Sequence, residues 1–194
     1  MRKILLVVVF LFLLTIIHGQ ALVDSLPRAY LKSNIGFLVG TVESEMKAPF
    51  SFMSDYNFRA TKMLHLGMGA GIEFYQTTYI PFFLTASVKP FSRNVIFSCA
   101  GGYTLPLNNR VTFNDGYDYK FSAGYFFNPE ISYVFHKTGN RQSFVVGIGY
   151  RYQRTDAKRL ERDDSVYRLY YPYYDYTLIT VFNRFSFRLG YLFF

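Results

Sequence analysis

Alternate residues of the final segment are apolar: Phe185, Phe187, Leu189, Tyr191 and Phe193. Between them stand Arg184, Ser186, Arg188 and Gly190. A strand sends successive side chains to opposite faces. The segment therefore predicts a strand with one greasy face and one arginine-bearing face. That pattern fits the last strand of a transmembrane β-barrel, apolar toward lipid and polar toward the lumen.

The same alternation recurs upstream. Leu31, Ile35, Phe37 and Val39 oppose Lys32, Asn34, Gly36 and Gly40. Phe52, Tyr56, Phe58 and Ala60 oppose Met53, Asp55, Asn57 and Arg59. Leu66, Met68, Ala70, Ile72 and Phe74 oppose His65, Gly67, Gly69, Gly71 and Glu73. Further strands are predicted over Ile80–Val88, Val95–Tyr103, Phe127–His136 and Ser143–Gln153. With the final segment they make eight. Glycine weakens a strand, so its concentration on the polar face needs a reason. A narrow lumen in which inward side chains compete for space supplies one. A sandwich core would place Val, Ile and Leu there.

The connections differ in length. Thr61–Leu64, Pro90–Asn94 and Lys137–Gln142 are short, the last carrying the turn signal Thr138-Gly139-Asn140. Glu43–Pro49, Pro106 to about Phe121, and Thr155 to about Tyr176 are longer, and Gln76–Tyr79 is a short exception. Short periplasmic turns opposite longer outer loops are the barrel asymmetry. The predicted fold class is thus all-β: an eight-stranded antiparallel transmembrane β-barrel with both termini periplasmic.

The front of the chain reads differently. Arg2 and Lys3 precede an apolar run, Ile4–Ile17, and small residues follow around Gly19 and Ala21. Charge, length and cleavage-site chemistry predict a secretory signal peptide over 1–20, cleaved after Gly19 or Ala21. Residues 21–194 form the barrel domain, about 174 residues and suited to one domain. Hydrophobic residues make up 51% of the chain and aromatics 21%. Lipid-facing strands with aromatic girdles call for such a balance. Loss of Arg2 and Lys3 lowers the formal charge from +8 to +6. For an exported chain that charge suits anionic headgroups or lipopolysaccharide phosphates, not nucleic acid. Cys99 is the single cysteine, which excludes an intramolecular disulfide.

Three segments carry a family likeness: Gly124–Tyr133, Val146–Tyr152 and Asn183–Tyr191. The chain resembles the small eight-stranded outer-membrane barrels of the OmpA/OmpX type, of a kind common in Bacteroidota. The likeness spans the whole exported chain and is architectural. It implies a place in the cell outer membrane and recognition of the C-terminal strand by the barrel-assembly machinery. Outer-membrane barrels commonly end in Phe with apolar residues alternating before it. Counting back from Phe194 puts arginines at those positions, whereas counting from Phe193 fits.

Candidate chemistry concentrates in two places. Counted from the short-turn end of each strand, Glu73, Glu130, Arg151 and Arg184 fall at similar heights, near mid-barrel. Unpaired charges there would be costly, so a lumen charge network of these four is expected. Asp55, Arg59, Lys89 and Arg188 fall nearer the periplasmic mouth, with Lys32 less firmly placed. The second place is the connection before the last strand, with Arg159, Arg162, Arg168, Tyr170, Tyr171, Tyr173 and Tyr174 as candidate surface contacts for a ligand of unknown kind. Tyrosines there equally suit a membrane-interface girdle. His65 and His136 lack partners at catalytic spacing, and metal-ligand and cofactor motifs are missing. The expected role is non-enzymatic, structural or interactive. The alternative is a narrow channel gated by the Glu/Arg cluster.

Overall fold

The computed structural model describes residues 28–40, 49–75, 77–89, 94–112, 118–135, 142–160 and 177–194. Its strands are β1 (Ala29–Val39), β2 (Phe50–Arg59), β3 (Leu64–Phe74), β4 (Thr78–Val88), β5 (Val95–Pro106), β6 (Arg110–Thr112), β7 (Asp118–Phe121), β8 (Gly124–Phe135), β9 (Gln142–Leu160) and β10 (Thr177–Phe193). Eight of them form the wall in the order β1-β2-β3-β4-β5-β8-β9-β10, each antiparallel to the next. β10 returns to β1 with a register from Leu31↔Phe193 to Val39↔Phe185, which closes the barrel. Closure removes the exposed sheet edges that an open sheet would leave.

The remaining two strands lie inside a connection expected to be a loop. β6 and β7 pair as a hairpin, and β7 adds to β9 through Asp118↔Leu160 to Phe121↔Ala157. β9 and β10 likewise run further than their alternation suggested, pairing from Phe193↔Gln142 to Thr177↔Lys158. The sheet thus continues past the wall on the end away from the chain termini.

Burial alternates residue by residue, as the hydrophobic pattern requires. On β10, Arg184, Ser186, Arg188, Gly190 and Leu192 are buried while Phe185, Phe187, Leu189, Tyr191 and Phe193 are exposed. β10 ends at Phe193, so the outward phase is set by that residue and Phe194 lies beyond it. The lumen glycines sit where a side chain cannot. A Cβ on Gly67 would meet Asn57 Oδ1 and the Tyr56 carbonyl at 2.5 Å, and one on Gly69 would meet the Phe83 ring at 2.6 Å.

The interior is filled in layers. At the terminal end Tyr30, Ile96, Val134, Val145 and Leu192 pack together. Met53, Phe83, Ala100 and Phe126 form a second apolar cluster farther along the axis. Leu38, Tyr75, Tyr79, Phe121 and Ala157 form a third at the opposite end. Between these layers stand the buried charges.

Candidate functional site in the lumen

The charges divide into two groups, not one. On the terminal side, β8 carries Glu130 inward, 4% exposed. Its Oε1 accepts from Lys32 Nζ at 2.5 Å, and its Oε2 accepts from Arg188 Nη1 at 2.8 Å. Ser132 Oγ adds a hydrogen bond of 2.5 Å, and Arg188 Nη2 donates to Asn128 Oδ1 at 3.2 Å. Asp55 accepts from Asn57 Nδ2, and Asn57 Oδ1 accepts from Thr85 Oγ1 at 2.8 Å. Lys32, Asp55, Thr85, Asn128, Glu130 and Arg188 border a cavity of about 20 Å³, room for roughly one water.

On the other side, Arg151 Nη2 of β9 donates to Glu73 Oε2 of β3 at 2.7 Å, and both side chains are fully buried. The Arg151 guanidinium carbon lies 3.4 Å from the centre of the Phe126 ring. Arg184 faces Arg151 directly across the β9–β10 ladder. Its guanidinium sits 4.8 Å from the Tyr75 ring centre and 5.0 Å from that of Phe182. Tyr75 OH in turn donates to Gln153 Oε1 at 3.0 Å. Among the described residues Arg184 Nε and Nη1 have no hydrogen-bond partner.

The single four-residue network expected from the sequence is therefore corrected. Glu73 and Arg151 do pair. Glu130 belongs instead with Lys32 and Arg188, and Arg184 rests among aromatic rings, with no carboxylate in ion-pair contact among the described residues. Glu130 is level with Ser186 on the β8–β9–β10 ladder, so Arg184 and Arg188 stand two residues to either side of it. Arg188, expected nearer the terminal mouth, and Lys32 turn their side chains to its carboxylate, whereas Arg184 turns to the Tyr75 and Phe182 rings.

Of the surface contacts expected, Arg159 lies on β9 opposite Tyr119. Arg162, Arg168, Tyr170, Tyr171, Tyr173 and Tyr174 lie outside the described residues, as do His136 and the segment 1–20. His65 points inward with its ring 5.4 Å from that of Tyr30. Among the described residues no group of three or more His, Cys, Asp or Glu is placed to hold a metal ion.

The arrangement is a filled polar core. A buried ion pair gives little net stability, but removing one partner strands the other at a cost of about 3–5 kcal/mol. The charges thus hold strands together: Lys32 on β1, Glu130 on β8 and Arg188 on β10 form one clamp, and Glu73 on β3 with Arg151 on β9 another. Apolar clusters stand at three levels among these charges.

The outer surface has the inverse chemistry. Met68, Leu84, Ile131, Ile148, Phe187 and Leu189 are among its exposed apolar side chains. Near the terminal end a run of ring contacts links Tyr133, Phe135, Phe144, Tyr191 and Phe193, with centroids 4.8–6.3 Å apart. Toward the other end Tyr103, Tyr125, Tyr150 and Tyr152 face outward, and Tyr150 OH bonds Asn183 Oδ1 at 2.7 Å. Beyond them the outward side chains turn charged, with Arg154 and Asp156 3.8 Å apart and both substantially exposed.

In comparisons with known proteins, no protein-family model and no curated protein matches the chain.

Proposed function

We propose that this chain is an outer-membrane β-barrel of the OmpA/OmpX size class, with a structural or surface-interaction role and no enzymatic one. The observation that carries this reading is the inverted polarity of the wall. Leu84 is 68% exposed on the outside while Arg151 is fully buried within. In water that inversion would expose apolar surface around the whole wall, far beyond the few hundred Å² usual for soluble monomers. In a bilayer it buries the apolar belt in hydrocarbon and sets the aromatic rings at the two interfaces.

The rest of the reading follows from this placement. Segment 1–20 acts as the export signal. The terminal end faces the periplasm, and the end with the β6–β7 hairpin faces out. β10, finishing at Phe193, serves as the strand read by the barrel-assembly machinery. Lipid and lipopolysaccharide are the immediate partners, and an unidentified surface ligand would meet the outer segments, including Arg159.

The channel alternative is disfavoured by the filled lumen. Planar-bilayer recording tests this directly. The purified barrel should give no discrete conductance steps. Reproducible single-channel steps that change in Glu130→Gln would favour the gated channel instead.

A further inference from the structure

We infer that the loop-side half of the lumen binds a small anion on the Arg184 guanidinium. The cluster around Glu130 is balanced, with Lys32 and Arg188 against Asp55 and Glu130, all buried; the buried Lys89 stands apart from it. The loop-side group is not: among the described residues Arg151 and Arg184 face a single buried carboxylate, Glu73. Lys89 lies past the end of β4 at the terminal mouth and is remote from this imbalance.

Glu73 Oε2 accepts from Arg151 Nη2. Arg184 is 2% exposed, and among the described residues two of its three nitrogens have no hydrogen-bond partner. Tyr75 and Phe182 offer ring faces at 4.8 and 5.0 Å, a weak compensation for a buried charge. Arg151 stands directly opposite on the neighbouring strand, and like charges so placed repel. Buried charges are ordinarily paired. A guanidinium with free donors, beside a second one and screened from water, is a site for a compact anion.

Two readings on the folded barrel in zwitterionic detergent test this. Crystals soaked in sodium bromide should show anomalous density within hydrogen-bonding reach of Arg184 Nε or Nη1. Replacing gluconate by chloride at constant ionic strength should raise Tm by about 2–4 °C. Arg184→Met should lose the chloride effect. The bromide reading uses the unaltered chain and holds even if that variant fails to fold. No bromide density at Arg184 overturns the proposal, as does a water bridging Arg184 to Glu73 Oε1. A carboxylate of the chain's own residues 161–176 seated on Arg184 overturns it too. Density without a Tm shift marks an adventitious ion only and counts against it.

Discussion

Glu130 is the residue on which the terminal-side lumen turns. One carboxylate holds two cations from strands on either side of the barrel seam, Lys32 of β1 and Arg188 of β10. Its loss takes from both buried cations the carboxylate they share, leaving Arg188 its bond to Asn128 Oδ1. Glu130→Gln should therefore destabilise the barrel by about 3–5 kcal/mol. Urea unfolding in lipid vesicles, followed by the heat-modifiable gel shift, measures this. A change under about 0.5 kcal/mol, the size of an ordinary surface substitution, would show that the clamp is not structural. Inward charge was legible in the sequence, because alternation assigns every strand residue to a face. Partnership was less so. Residue counts from a turn gave the right height for Glu73 and Arg151, which pair. For Glu130 the count does not separate Arg184 from Arg188, which stand two residues to either side of its level on β10; which of them pairs is set by side-chain direction. Arg184 stands at the height expected, yet its side chain turns to the Tyr75 and Phe182 rings. No periodicity encodes that choice.

At the scale of strands, β5 offers an internal control. Gly101 faces outward and Gly102 inward. A Cβ on Gly101 would have the Phe126 carbonyl at 3.7 Å as its nearest neighbour, an ordinary contact. A Cβ on Gly102 would press into the Phe82 carbonyl and lie 2.7 Å from Phe83 Cα, both backbone. Gly102→Ala should cost roughly 1–3 kcal/mol, as overpacking does, and Gly101→Ala close to nothing. Equal effects in the same unfolding assay would mean that lumen crowding is not what selects glycine. The eight wall strands were readable because each has one face in an apolar setting and one in a polar, crowded one. That contrast fades where β9 passes the outer aromatic rings. Arg154, Asp156 and Lys158 occupy its outward positions, so both faces look polar and the strand reads as loop. β6 and β7 are shorter still, three and four residues, too few for a period of two to declare itself.

For the whole molecule, the central matter is which solvent each surface meets. Leu84 stands amid the outer apolar belt and is 68% exposed. Leu84→Arg should cost about 2–4 kcal/mol if that belt sits at the bilayer midplane. In a barrel bathed in water the same change would be neutral, so unfolding in vesicles separates the two. The packed lumen bears on a second molecular property: on the membrane reading proposed above, stability comes from packing on the inside and from lipid on the outside. The most direct test is vesicle partitioning of residues 21–194. Urea-unfolded chain is diluted into phosphatidylcholine vesicles and floated on a density gradient. It should rise with the lipid, resist carbonate extraction and migrate as a heat-modifiable band. Folded monomer that stays in the aqueous fraction, with no detergent or lipid present, would contradict the membrane barrel outright.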